Sequence, residues 1–150
     1  MTAVPRSRAQ RRRDTEHRLT HDIDAWVASA SAETAPYLVP LSFDWDGEQL
    51  LMATPTDSPT GRNLAASRSV RLGLGSTRDV SIIEGDVEML EIDALPQERG
   101  DRFAAHTGFD PRALATPYRW FCISPRRIQA WREVNELDDR DLMRDGRWLV

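Results

Sequence analysis

Residues 36–45 read PYLVPLSFDW, and their phase decides the architecture. Tyr37, Val39, Leu41, Phe43 and Trp45 share one face of an extended chain, with Leu38, Pro40, Ser42 and Asp44 on the other. Such alternation marks a half-buried strand, because successive side chains in a strand point to opposite faces. Asp46-Gly47 follows, a pair favoured in two-residue hairpin turns, and EQLLMAT (48–54) is the returning strand. Pro40 lies within the first strand. It has no N–H for a ladder, so it marks an edge, a bulge or a position facing a ligand.

Upstream, WVASAS (26–31) reads two ways. Trp26, Ala28 and Ala30 alternate as a strand would, but the run also continues the helical spacing of Leu19, Ile23 and Trp26. Downstream, TPTDSPTG (54–61) is a turn-rich loop in which Ser58 or Thr60 can cap a short helix, GRNLAAS. SVRLGLGS (69–76) places Val70, Leu72 and Leu74 on one face of a strand. DVSIIEGDVEMLEID (79–93) is a longer strand whose phase slips at Ile82–Ile83 and at Met89–Leu90, which predicts bulges there. LPQERGDRFAAHTG (95–108) reads as a helix closed by Gly108. YRWFCIS (118–124) and RRIQAWRE (127–134) are two strands joined at Pro125, followed by a polar tail with a turn at Asp145-Gly146. Short strands with tight turns and no βαβ alternation predict a mainly β fold, an antiparallel barrel or sandwich with short helices.

Composition narrows the function classes. A length of 150 residues fits one domain, and 40% hydrophobic with 29% charged residues is globular. No apolar run approaches the ~20 residues of a membrane helix, and MTAVPRSRAQRRR lacks the apolar stretch of a secretory signal. A cytoplasmic protein is expected. One cysteine, Cys122, excludes an internal disulfide and a cysteine-rich zinc site. All twenty basic residues are arginine, which excludes lysine Schiff-base and P-loop lysine chemistry. An anion must therefore be held by arginine, backbone N–H or hydroxyls.

Charge is uneven along the chain. Residues 1–18 carry six Arg against Asp14 and Glu16, a net +4, and the remainder carries fourteen Arg against twenty-two acids, a net −8. Residues 1–23 read as a basic helix or arm ahead of a domain at 24–150, and the ordinary reading of such an arm is a solvated helix or a frayed end. The body has no basic stripe with interleaved aromatics, so nucleic acid is not a favoured partner.

Few side chains suggest chemistry by themselves. His17 and His21 share a helix face, but without a third ligand they read as a solvated face rather than a metal site. His106 reads as a surface or capping residue and Cys122 as an inert core thiol. The loop Thr54–Asn63 combines Thr54, Thr56, Ser58 and Thr60 with Gly61 and Arg62 at a helix start. Free N–H groups, hydroxyls and a guanidinium suit a phosphate, and an ordinary capped loop explains the same residues equally well.

Taken in order, these segments resemble the pyridoxamine 5′-phosphate oxidase-like, FMN-binding split-barrel family. The residues carrying the resemblance are YLVPLSF, the Asp46-Gly47 hairpin, the strand ending Ala53-Thr54, the hydroxyl loop closed by Arg62-Asn63, the short helix, and V-x-I-x-E-G from Val80 to Gly85. It spans about residues 24–92, with a second patch from Pro125 to Trp148. It implies a six-stranded antiparallel split barrel, WVASAS as its first strand, and a homodimer with flavin at the subunit interface. It implies that Val39, Pro40, Leu41 and Ser42 pass alongside the flavin ring. Ala53, Thr54, Ser58, Arg62 and Asn63 would line its ribityl and phosphate end, with Arg62 where many relatives carry lysine.

In the second patch the oxidases carry a tryptophan followed by R-L-H-D-R. Here IQAWREVNELDDR retains Trp131, Leu137, Asp139 and Arg140, so Trp131 and Arg140 are the implied flavin contacts. The family's substrate-binding Arg and His are replaced by Glu136 and Asp138, two carboxylates that would repel a substrate phosphate. Val80 stands where the oxidases carry a flavin-contacting Gln. The resemblance therefore implies an FMN-dependent oxidoreductase acting on a small molecule other than pyridoxamine phosphate. The alternatives are a deazaflavin-dependent reductase and a non-catalytic flavin-binding protein. No metal is implied, and no catalytic side chain is evident.

Overall fold

The computed structural model describes residues 4–150. Helix α1 (Arg8–His21) is followed by strands β1 (Asp24–Ser31), β2 (Thr34–Trp45) and β3 (Leu50–Pro55). Then come α2 (Pro59–Ser67), β4 (Ser69–Ser76), β5 (Asp79–Glu91), α3 (Gln97–Thr107), β6 (Tyr118–Trp131), β7 (Asp141–Arg144) and β8 (Arg147–Trp148). All pairings are antiparallel. The order β3-β2-β1-β4-β5-β6 closes on itself because β6 also pairs with β3, which makes the six-stranded barrel, and β7 and β8 extend it beyond β6. WVASAS is strand, pairing with β2 on one side and β4 on the other.

The alternation read in the sequence sets the interior. Phe43 is fully buried, with Val39, Leu41 and Trp45 packed against the same core. Val27, Leu50, Met52, Leu72, Ile83, Phe121, Ile123 and Ile128 fill it. A second cluster lies outside the barrel, where Phe103 of α3 meets Trp120 edge-on over Leu51, Ala53 and Cys122. β3 is therefore buried on both faces, which is why LLMA shows no alternation.

Several sequence expectations change. β5 does not slip at Ile82–Ile83: Ser81, Ile83, Gly85 and Val87 all point inward. The apparent slip at Met89–Leu90 reflects the two cores, since Met89 packs on the first and Leu90 on the second. The irregularity sits instead on the opposing strand, where Gly85 pairs with Pro125 and Glu84 with Arg127, so Arg126 is the extra residue. The two strands expected on either side of Pro125 are thus one continuous β6, bent at a bulge where a residue without an N–H is tolerated. The hairpin turn is displaced by one residue. Asp46 N donates to Gln49 O (3.1 Å), leaving Gly47 and Glu48 at the tip with Gly47 at φ 99°. The tail is not simply polar: β7 buries Leu142 and Met143 and turns into β8 at Asp145-Gly146, both with positive φ.

α1 is the largest correction. It is helical and capped by Ser7 as a basic N-terminal helix should be, but one face is buried rather than solvated. Leu19 is fully enclosed in the barrel core, a burial that contributes about 1.5–3 kcal/mol. Thr15 Oγ1 meets Ser81 Oγ at 2.7 Å. Arg11, only 4% exposed, donates to the carbonyls of Ala130 and Glu136. Arg6 and Arg18 converge on Asp79, and Arg6 also grips Asp14 and Glu136. Burial pulls the Arg6 guanidinium down, but its bonds to Glu136 and Asp14 more than offset this and its pKa ends raised. The Arg6 bonds hold the Glu136 carboxyl down, to about 2. Arg6, Arg12 and Arg18 are therefore paired with carboxylates within the molecule, and Arg8 and Arg11 with carbonyls.

Two outcomes follow from this packing. A Cβ on Gly85 would lie 2.5 Å from Ile123 Cγ2 and 3.1 Å from Ser124 O. Gly85→Ala should lower the unfolding free energy by about 1–3 kcal/mol through overpacking, read from denaturant midpoints. Glu136 has a folded pKa of about 2 against an ordinary 4.5. Its contribution is complete above the ordinary value and is lost as pH falls from there through the folded value. Urea stability of the native chain should therefore drop more steeply between those two pH values than that of Glu136→Gln. Parallel pH profiles would reject this account.

Candidate functional site

β2 and β3 pair over only three rungs, Phe43↔Met52, Asp44↔Leu51 and Trp45↔Leu50. Beyond Phe43 the two strands part, each still bonded to its other neighbour: β2 to β1, and β3 to β6 as far as Pro55↔Tyr118. Phe43 N donates to Ile23 O, so Phe43, Leu41 and Val39 turn their backbone groups toward β1. By strand alternation Ser42 and Pro40 turn theirs toward the gap. Pro40 thus occupies the open edge, where its missing N–H breaks no ladder. Past the last rung, Phe43↔Met52, the Ser42 N–H and the Pro40 C=O face the gap.

This gap is a cleft of about 310 Å³, lined by Pro40, Leu41, Ser42, Ala53 and Thr54 together with Asp24, Phe103, Phe109 and Tyr118. Five residues expected from the sequence are brought together here. Asp24, Phe103, Phe109 and Tyr118 were not foreseen: Asp24 enters from the start of β1, opposite Ser42, and the three aromatics come from α3, the loop after it and the start of β6. Asp24 Oδ1 accepts from Ser42 Oγ at 2.7 Å. The Phe109 and Tyr118 rings stand 5.6 Å apart. His106, on the last turn of α3, bonds Asp22 O at 2.9 Å and ties this wall to the entry of β1.

At one end β3 runs into the N-terminus of α2. Ser58 caps it, accepting from Gly61 N at 3.0 Å, and its hydroxyl also meets Thr54 Oγ1 and donates to Pro55 O. A Cβ on Gly61 would come within 2.4 Å of Pro55 O, so only glycine lets the helix start this close to the loop. Arg62 is exposed and its guanidinium donates to Asp57 O. Asn63 is buried, with its amide donating to Ser29 and accepting from Thr34. Val39 and Asn63 therefore stand one step behind the cleft, one packed in the core and the other pinning α2 to β1.

Trp131 and Arg140 lie together elsewhere. The Arg140 guanidinium is 5.7 Å from the Trp131 ring centroid. Thr54 pairs with Arg119 near the start of β6, whereas Trp131 is its last residue. At roughly 3.3 Å per residue, about 40 Å of strand separates them. Glu136 and Asp138 also differ from expectation. Glu136 is buried and saturated by Arg6 and Arg132, so it faces no ligand. Asp138 lines a polar hollow with Arg8, Arg127 and Arg140.

The remaining candidates are quiet. Cys122 is buried, and desolvation pushes its thiol up. His17 and His21 stack at 4.1 Å. Among the described residues no group of three His, Cys, Asp or Glu is placed to hold a metal ion, and no helix is long and apolar enough to cross a membrane.

Comparison with known proteins agrees with this geometry. No curated protein matches the chain. Among solved structures it is similar to an F420 reductase, at 18% identity and TM-score 0.63, covering 75% of this chain and 94% of that one. It is similar to a putative pyridoxamine 5′-phosphate oxidase from Listeria innocua, at 15% identity and TM-score 0.64, covering 81% and 98%. It is also similar to a heme-binding protein from Mycobacterium smegmatis, at 15% identity and TM-score 0.62, covering 91% of this chain and 57% of that one. These likenesses establish a shared barrel. The profile of the pyridoxamine 5′-phosphate oxidase family matches residues 18–132, most of the length, and the chain belongs to that family.

Proposed function

We propose that the protein is a homodimeric flavin-binding oxidoreductase that uses FMN to move hydride to or from a small molecule other than pyridoxamine phosphate. The observation that carries this reading is the parting of β2 from β3, which leaves an open strand edge beside a helix N-terminus. A flat ring with donor and acceptor edges is suited to the Ser42 N–H and the Pro40 C=O that face the gap, and Leu41 and Pro40 give it apolar contact. Ala53 and Thr54 would flank a ribityl chain. Ser58, the first N–H groups of α2 and Arg62 would hold a phosphate, since anions are favoured where helix dipole and free donors coincide. Asn63 would keep α2 in place. When bound, the flavin supplies the hydride chemistry. The chain binds it, orients it and narrows water access with Phe103, Phe109 and Tyr118.

A second copy completes this site. Trp131 and Arg140 stand at the end of β6 away from the cleft, so they would serve the partner's flavin. The outer face of β1 and β2 offers a docking surface beside the cleft. Trp26 (53% exposed) pairs with Pro40, and Ala28 pairs with Leu38 (61% exposed). Exposed apolar clusters of this kind mark protein contacts. Pyridoxamine phosphate is disfavoured as substrate because the two family positions that would bind it are a saturated carboxylate and Asp138.

A second reading, a deazaflavin-dependent reductase, is supported by the similarity to the F420 reductase. A haem reading rests on the Mycobacterium smegmatis likeness and would have Tyr118 as the cleft's one ligand of a type that binds haem iron.

Mass spectrometry of the co-purifying or titrated cofactor separates these readings. FMN with flavin absorbance is expected, F420 would favour the second reading, and a Soret band would overturn both. Arg62→Ala should weaken FMN binding by roughly 1.5–3 kcal/mol, the contribution of a charge-assisted bond, and unchanged affinity would remove Arg62 from the phosphate site. Light scattering should give twice the chain mass of 17.1 kDa, and Trp26→Glu should give the monomer. A native monomer would defeat the shared site.

A further inference from the structure

Between Trp131 and Arg140 the chain leaves the sheet and makes only a short 3-10 turn, Val134–Glu136. Apolar burial does little to hold this excursion, since Val134 is 76% and Leu137 37% exposed. Residues 6–11 hold it instead. Arg6 gives Glu136 three hydrogen bonds, from its backbone N (2.8 Å), Nε (3.1 Å) and Nη2 (2.7 Å). Glu136 also accepts from Arg132 N at 2.8 Å, immediately after Trp131. Arg11 Nη1 bridges Ala130 O and Glu136 O, both at 3.1 Å. Arg8 Nη2 donates to Asp141 O at 2.6 Å, immediately after Arg140. Ala130 N and Arg140 O close the base of the excursion at 3.0 Å. The start, the turn and the end of the segment are each tied to the N-terminal arginines.

We propose that the Arg6–Glu136 clip, with Arg8 and Arg11, is a positioning element that sets Trp131 and Arg140 for the cofactor of the second subunit. This rests on the flavin-binding reading above. Buried ion pairs contribute little net stability against apolar replacements, and their best-attested use is to select one arrangement of the chain. That suits a segment whose own side chains are mostly in water. It also gives Glu136 a role: where the oxidases hold substrate with arginine, this chain anchors its own N-terminus.

The test compares the full-length native protein with the double variant Arg6→Met/Glu136→Gln, which removes both charges of the clip together, and with Arg6→Lys as the conservative control. Hydrogen exchange is measured without cofactor, and FMN affinity by fluorescence. In the double variant, exchange across residues 131–140 should rise by about tenfold while the barrel strands stay protected. FMN affinity should fall by about tenfold, from lost preorganisation. Arg6→Lys should restore most of both. Native exchange over 131–140, or native FMN affinity in the double variant, overturns the proposal. So does loss of protection spread evenly over the barrel, which would make the clip merely structural. A native protein that takes up no flavin rejects the proposed function and this role with it. A native protein that binds flavin no better than the double variant rejects this role alone.

Discussion

Closure of the sheet is the constraint from which the rest follows. β6 pairs with β5 along nearly its whole length and must also meet β3 to complete the ring. β3 is held against β6 through Pro55 and so is drawn away from β2 after Met52. The parted strands keep their inner faces in the core while their facing edges lose partners. Unpaired backbone groups in a sheet are costly when shut away from water. Here they open on a cleft, so the same geometry that closes the barrel leaves a polar-edged opening between β2 and β3.

Charge is arranged to support that frame. With no lysine, every cation is a planar guanidinium able to make several directed bonds. Asp79 receives Arg6, Arg18 and Arg132, and Glu136 receives Arg6. Burial alone would raise the Asp79 carboxyl, but the bonds from Arg18 and Arg132 bring it below its ordinary value. α1 is thereby joined to the far end of β6 by electrostatics and to the core by Leu19. The helix and the segment carrying Trp131 and Arg140 form one unit, remote from the Pro40–Ser42 edge. The cleft and the Trp131–Arg140 pair lie toward opposite ends of β6.

Much of this was legible from local pattern. Tyr37 lies beyond the core and is exposed, but the alternation of Val39–Trp45, the cap at Ser58, the left-handed Gly108 and the single-faced Val70–Leu72–Leu74 strand all depend on neighbours in sequence, and each appears as read. So did the meaning of Pro40, because a residue with no N–H restricts the strand edge that can hold it. What failed depended on partners far along the chain. Ile82–Ile83 resembled a slip because half-burial of Ile82 comes from outside the barrel. Glu136 resembled a substrate-facing carboxylate because Arg6, which neutralises it, lies 130 residues away. The arginines of the first helix resembled a solvated arm because their acceptors are carbonyls and carboxylates of β5, β6 and the chain after it.

Sequence by itself determined β2 to β5, most of their inward faces, the helix caps and the family, because side-chain periodicity, turn chemistry and motif order are properties of neighbouring residues. Tertiary structure alone decided where the sheet opens, which aromatic side chains of α3, the loop after it and β6 wall the cleft, and which charges are already matched. Those outcomes depend on strand register and on contacts between distant segments, and register becomes definite only when the barrel closes.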